Sequence, residues 1–419
     1  MPSRRYRALA WSLALALLAY TTPAASQAPE PRRVTLADAL AAAERESPDL
    51  RLAAQGVAAA RARAITAGTR PNPTLGLDRE QLGGDDSYHE TVLFVAQTLD
   101  LSGQRGARRE AARLDVTAAE LRLDAERARV RSDVLRAYLR AAAAESRLGV
   151  LGETATLFRD ASRAGETRFR EGDISRYELE RLQVEAARYE TLLSEAQLEV
   201  RSAGRELTML AALDPAAPDT LLLPADTLGA VTLRAATLAA DTALALALRR
   251  ADVRAAEADV ETARAVIDLR RRARRPDPTV SAGVKEQAGG LYGAVLGVSV
   301  PLPVSDRGQG PLAEAEAALA QAEARLALAR RAATAEVRRA LDRRASLAER
   351  LALREGLIQR TGSLLRAAQV AYAEGETGLL ELLDAAESYR AAREGADALL
   401  ADYLTSVADL ERATGGADR

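Results

Sequence analysis

The chain repeats itself. An aromatic residue followed by Glu-Gly and an acidic residue occurs at Phe169-Arg170-Glu171-Gly172-Asp173 and again at Tyr372-Ala373-Glu374-Gly375-Glu376, 203 residues later. The same displacement relates Asp49-Leu50-Arg51 to Asp252-Val253-Arg254, and Leu99-Asp100-Leu101-Ser102 to Leu302-Pro303-Val304-Ser305. Arg70-Pro71-Asn72-Pro73 returns as Arg275-Pro276-Asp277-Pro278, two residues out of step. Self-similarity over so long a period implies one duplicated structural unit. The halves span residues 27–213 and 241–413, with a Pro-, Asp-, Thr- and Leu-rich linker at 214–240 and a tail at 414–419.

Each half opens with helix. Thr35 with Asp38 three residues on forms a capping-box pattern, and Ser47-Pro48 can cap and start a second helix reaching about Thr69. In the second half the helical pattern runs from about Asp241 to Arg275. Both patterns stop at Pro-x-Pro, because proline removes a donor and pushes the residue before it into extended geometry.

Strand patterns follow at Thr74 to Leu82, Tyr88 to Leu99, Thr279 to Gln287 and Leu291 to Val300. The last alternates Tyr292, Ala294, Leu296, Val298 and Val300 against Leu291, Gly293, Val295, Gly297 and Ser299, the two faces of a strand. Gly83-Gly84-Asp85-Asp86 and Gly289-Gly290 supply turn chemistry, so residues 74–99 and 279–300 read as β-hairpins. Strands of this length can cross a bilayer when tilted, or form an ordinary soluble hairpin.

From Gln104 to about Arg170 no proline interrupts a heptad seam through Leu114, Ala118, Leu121, Ala125, Ala128, Ser132, Leu135, Leu139 and Ala142. A helix of that length extends on the order of 100 Å. A returning helix begins after the turn at 169–176. The second half repeats the plan, with a long helix from Pro311 to Tyr372, a turn at 372–379 and a return through Leu379, Leu382 and Ala386 to Leu410. Each Glu-Gly turn ends a helix on a left-handed glycine and restarts it with negative charge in the first turn.

Composition fits long helices: 48% hydrophobic, 28% charged and only 3% aromatic. Arg4, Arg5 and Arg7, an apolar run from Ala8 to Ala19 and small residues ending Ala24-Ala25-Ser26 read as a secretory signal over 1–26, the run being short for a span. Without those three arginines the net charge of −2 becomes −5, which argues against a nucleic-acid surface. There is no cysteine, so disulfides, thiolate metal sites and acylation at an N-terminal Cys are not expected. His89 is the single histidine, so no metal site and no cofactor are expected. No nucleophile elbow or phosphate loop stands in the chain, and no enzyme activity is expected. Beyond residue 26 any membrane crossing has to use strands, and two hairpins cannot close a barrel alone, so strands in lipid would demand more than one chain.

The order helix, Pro-x-Pro, hairpin, long helix, aromatic-x-x-Gly turn and returning helix, all duplicated, resembles the TolC-like outer membrane efflux proteins. Arg70-Pro71-Asn72-Pro73 and Gln97-Thr98-Leu99-Asp100-Leu101-Ser102-Gly103-Gln104-Arg105 are most similar to the CzcC-type branch that serves heavy-metal pumps. The resemblance implies a mainly α chain with membrane β, a homotrimer with a twelve-stranded β-barrel in the outer membrane and an α-helical barrel in the periplasm. It implies a periplasmic adaptor and an inner-membrane pump of the RND type as partners, and outer membrane lipid around the strands. A periplasmic coiled-coil structural or adaptor protein without a pore is the alternative, and it has no use for duplicated strand pairs.

The resemblance also implies roles for the turns. Phe169, Gly172 and Gly375 stand at the adaptor-docking tip, with Tyr372 matching the same aromatic-x-x-Gly pattern; the plainer reading is that the glycines only end helices. Glu381 and Asp384, three apart and so on one helical face, match positions that ring the periplasmic entrance with acid; otherwise they are helix-start charge or a solvated face. Tyr372, Tyr177 and Glu178 are expected beside them. Thr377 stands where the family's best-known gate has an arginine, so a gate of the same hydrogen-bonded kind is not implied.

Overall fold

In the computed structural model, residues 34–83, 88–213 and 237–415 are described. The expected signal sequence, most of the 214–240 linker, the Gly84-Asp85-Asp86 turn and the end of the tail lie outside them. The described residues form two successive units of the same plan. The first has α1 (Leu36–Glu46), α2 (Pro48–Gly68), β1 (Thr74–Leu82), β2 (Tyr88–Thr98), α3 (Gln104–Glu171) and α4 (Arg176–Leu210). The second has α5 (Ala240–Ala247), α6 (Ala251–Ala273), β3 (Thr279–Gln287), β4 (Leu291–Ser299), α7 (Gln309–Ala373) and α8 (Leu379–Ala413).

Local chemistry sets the boundaries. Thr35 Oγ1 accepts from the Asp38 N–H at 3.2 Å while Asp38 accepts from the Thr35 N–H at 3.1 Å, a closed capping box. Ser47 caps α2 over Pro48. The second half departs from the single helix expected over 241–275: the chain leaves α5 at Leu248 and restarts α6 after an extended Arg250. Arg250 occupies the position of Ser47 and has no capping side chain. Its guanidinium is instead nine-tenths buried and pairs with Asp252, two residues on, and with the distant Glu336, each at 2.7 Å, so this break is held by ion pairs, one of them long-range, where a local cap holds the first.

The strands form one antiparallel sheet in the order β1-β2-β3-β4. The β2–β3 pairing, Thr98 opposite Thr279 and Leu93 opposite Val284, joins the two halves. Register places Leu75, Val95, Ala282 and Leu296 in one row and Leu77, Leu93, Val284 and Ala294 in the next, all on one face. That face is exposed: Leu296 is 83% accessible, Leu75 73% and Val284 62%. The other face carries a polar cluster beside Val92, Phe94 and Val295. Lys285 pairs with Glu90 at 2.6 Å, and Tyr88 and Gln287 both donate to the same carboxylate, at 2.8 and 3.2 Å. A water-soluble sheet hides its apolar face, whereas this one exposes rows of apolar side chains and sets the Glu90–Lys285 pair on the opposite face, the pattern of a membrane barrel wall.

Two helices of 68 and 65 residues, α3 and α7, run from the sheet and are accompanied by the shorter ones. Both begin at a left-handed glycine, Gly103 (φ 73°) and Gly308 (φ 70°). There is no single core. Buried layers succeed one another along the helices: Val34, Tyr138, Leu207 and Leu404 in one, Val253, Val337 and Leu410 in another. A third holds Phe158 stacked on Tyr189 at 4.8 Å. Leu135, Leu139 and Ala142 of the α3 heptad seam and Leu410 of α8 are among the buried residues of these layers. Among the described residues no helix is long and apolar enough to cross a membrane.

Candidate functional site

The two Glu-Gly turns lie at the helix ends remote in sequence from the sheet. At the first, α3 ends on Gly172 at φ 86°; the Asp173 N–H donates to the Arg168 carbonyl at 2.8 Å and the Gly172 N–H to that of Phe169 at 3.1 Å. These are the bonds that close a helix through a left-handed residue. Ser175 then caps α4 by accepting from the Glu178 N–H at 3.2 Å. At the second, Gly375 has φ 77° and Glu376 returns its N–H to the Ala371 carbonyl at 2.8 Å. Here α8 starts at Gly378 with no side-chain cap.

The turns touch each other. Tyr372, only 7% exposed, packs on Leu182, Leu379 and Leu382. Its hydroxyl donates to Glu178 at 3.2 Å. Arg168 lies over the Tyr372 ring, 5.3 Å from its centroid, and donates to the Tyr372 carbonyl at 3.3 Å. Burial, reinforced by the Glu178 carboxylate, pushes the Tyr372 hydroxyl up to about 12. The phenol therefore stays protonated and remains a donor throughout the physiological range.

Other expected residues stand apart. Tyr177 is 78% exposed and Phe169 40%. Glu381 and Asp384 share the exposed side of the first turns of α8, and neither carboxylate has a hydrogen bond or ion pair to a described residue. The Thr377 hydroxyl is buried without a partner among the described residues, so its side chain makes no hydrogen bond in the place where the family's best-known gate has an arginine. Arg168 was the residue missed: it comes from the other half, and its spacing from the Phe169 motif gave no sign that it would reach Tyr372.

The duplication explains the asymmetry. Tyr372 corresponds to Phe169, and Glu381 to Glu178. At this position the second half therefore offers an aromatic hydroxyl and the first does not. Among the described residues no group of His, Asp and Glu is arranged to hold a metal ion.

An outward apolar sheet, two very long helical hairpins and a polar contact at their tips define the subunit of a membrane channel with a helical extension. The sequence profile of the outer membrane efflux protein family matches residues 39–212 and again residues 243–416. The chain belongs to that family, and its place is the outer membrane. It is 27% identical over 370 residues to the cobalt-zinc-cadmium resistance protein CzcC of Cupriavidus metallidurans, covering 86% of this chain and 85% of that one. Its fold is similar to crystal structures of CusC (TM-score 0.73, 22% identity, 91% of this chain and 92% of that one). It is also similar to the outer membrane protein VceC of Vibrio cholerae (TM-score 0.72, 22% identity, 91% and 96%). The family is one of efflux channels, not of enzymes.

Proposed function

We propose that the chain is the exit duct of a tripartite efflux system, a passive conduit from periplasm to exterior. The observation that carries this reading is the four-stranded sheet with an apolar outer face and two unpaired edges, β1 and β4. Open edges are not tolerated in lipid. Three chains would close a twelve-stranded barrel, and their α3, α4, α7 and α8 helices would continue it as a tunnel. A pore-free coiled coil gives such a sheet no role.

The tips are the periplasmic end. Phe169, Gly172 and Gly375, exposed around the two turns, form the surface on which a periplasmic adaptor would dock, bringing an inner-membrane pump of the RND type. Glu381, Asp384, Tyr372, Tyr177 and Glu178 surround the entrance. Three copies of Glu381 and Asp384 would give carboxylate rings, which favour cations. With the likeness to a cobalt-zinc-cadmium resistance protein, this points to metal cations as cargo. The test is reconstitution of the detergent-extracted trimer in a planar bilayer under a salt gradient. Glu381→Ala/Asp384→Ala is expected to move the reversal potential toward lower cation preference. An unchanged potential removes these residues from the entrance, and a monomeric mass removes the duct.

A further inference from the structure

Four helix ends meet below the sheet: the last turns of α2 and α6 and the first turns of α3 and α7. They carry an unusual excess of arginine. Arg70, Arg108, Arg109, Arg270, Arg271 and Arg275 all lie here, exposed except for half-buried Arg108, and none has an ion-pair partner among the described residues. Four of the nearby acids are already engaged; Glu314 and Glu316 in α7 are exposed without an ion pair among the described residues, but the arginines outnumber them. Asp100 accepts from the N–H groups of Gln104 and Arg105 at 3.0 and 2.8 Å. Asp277 accepts from those of Leu101 and Ser102, both at 3.1 Å. Asp268 pairs with Arg272 at 2.9 Å and Glu110 with Arg113 at 2.7 Å. Further along α3 the arginines are different: Arg122, Arg129, Arg136, Arg140, Arg147 and Arg159 each have a carboxylate partner.

Helix electrostatics explains only part of this. Arg270 and Arg271 in the last turn of α6 suit the negative end of its dipole. Arg108 and Arg109 lie close to the positive end of α3, whose first turn has no acidic residue, so there the field opposes them. The arginines outnumber the acids at this level, so an external anion would supply counter-charge. The same level carries exposed apolar side chains on the connecting loops, Leu101 at 73%, Leu302 at 79% and Val304 at 71%, and it borders directly on the apolar face of the sheet. Apolar tips beside long cationic side chains suit the boundary between acyl chains and headgroups.

We propose that this arginine collar binds the phosphate groups of anionic phospholipids in the leaflet from which the helices emerge, with Leu101, Leu302 and Val304 set among the acyl chains. It rests on the sheet lying in lipid, which heat-modifiable migration tests separately. Each arginine near an anionic membrane surface is worth roughly a factor of five in affinity, so removing three should cost at least about tenfold.

The experiment uses the full chain in non-ionic detergent, with dimyristoyl phosphatidylglycerol, dimyristoyl phosphatidylcholine or inorganic phosphate as probes and lipid retained per chain as the readout. Phosphatidylglycerol should be retained on the order of tenfold better than phosphatidylcholine. Arg70→Gln/Arg108→Gln/Arg109→Gln and Arg270→Gln/Arg271→Gln/Arg275→Gln should each lose it, while the corresponding Lys variants and Arg159→Gln/Arg163→Gln/Arg176→Gln keep it. On the unaltered chain, raising salt from about 0.05 to about 0.5 M should strip the lipid from a charge-held site. Salt-insensitive retention overturns the proposal, as does equal retention of the two lipids or undiminished retention in both Gln variants. Displacement by an equal concentration of inorganic phosphate overturns it too, since it would mark a site for free anion.

Discussion

The Tyr372 hydroxyl donates to the Glu178 carboxylate at 3.2 Å, and this bond ties the end of α7 to the start of α4, one half of the duplication to the other. Glu178 is half-buried and Tyr372 buried, so the contact is sheltered without being sealed. Tyr372→Phe should keep the ring packing and lose the bond, at a cost of about 1–2 kcal/mol for a hydrogen bond to a charged acceptor with solvent access. If the contact restrains the proposed entrance, single-channel recordings of this variant should show a higher conductance with an unchanged oligomeric mass. An identical conductance would reduce the bond to packing.

The same pair predicts a late-titrating phenol. With its folded value raised from 10 to about 12, Tyr372 stabilises the folded chain fully below pH 10. That contribution declines as the unfolded phenol ionises and is gone as pH rises through the folded value. Difference absorbance against Tyr372→Phe should show one tyrosinate forming near pH 12. Glu178→Gln should lower that midpoint without restoring the ordinary value, because burial is the larger cause.

Gly375→Asp tests the docking tip. The left-handed backbone there penalises any side chain by about 1 kcal/mol or more. A side chain would also start 3.8 Å from the Arg168 guanidinium, so a carboxylate would draw that arginine from Tyr372. The proposed trimer should survive, held by the sheet and long helices, while cross-linking to the proposed adaptor weakens. Undiminished cross-linking would move docking elsewhere.

Phe169 holds the place that Tyr372 holds in the other half, and Glu381 the place of Glu178. If neighbouring chains meet as the halves do, Phe169 faces Glu381 of the next chain with no hydroxyl to offer. Phe169→Tyr should then add a second set of bonds and lower conductance in the bilayer, an effect that Glu381→Gln should weaken. No change in conductance would show that these residues do not meet.

In the sheet, Gly283 leaves no room for a side chain: a methyl group would overlap the Leu93 carbonyl oxygen and lie 2.7 Å from Phe94 Cβ. Gly283→Ala forces β2 and β3 apart at their centre, a cost of about 1–3 kcal/mol for an overpacked site. The expected readout is loss of heat-modifiable migration at a lower temperature than for the unaltered chain.

Much of this architecture could be read from residues alone, and the reasons are local. The capping box of Thr35 and Asp38, the Ser47-Pro48 start and the left-handed Gly172 and Gly375 are short-range chemistry, legible within a few positions. Strand limits followed from alternation between turn residues. The break at Arg250 was invisible because its determinant, Glu336, lies far along the chain; only the correspondence with Ser47 could have signalled it. Arg168 escaped notice for a similar reason. Its partner is across the duplication, and an arginine in a helix full of arginines has no signature until the fold brings Tyr372 beneath it.

The β2–β3 pairing has one more consequence. β2 is the second strand of the first half and β3 the first strand of the second, so the contact joining the halves is of the same kind that β4 would make with β1 of a neighbouring chain. In the proposed assembly, the molecule would carry within itself a worked copy of its own seam. Recruiting another chain requires no new type of interface, only the same step repeated, and the number of repetitions falls to the curvature of the wall and not to any special edge.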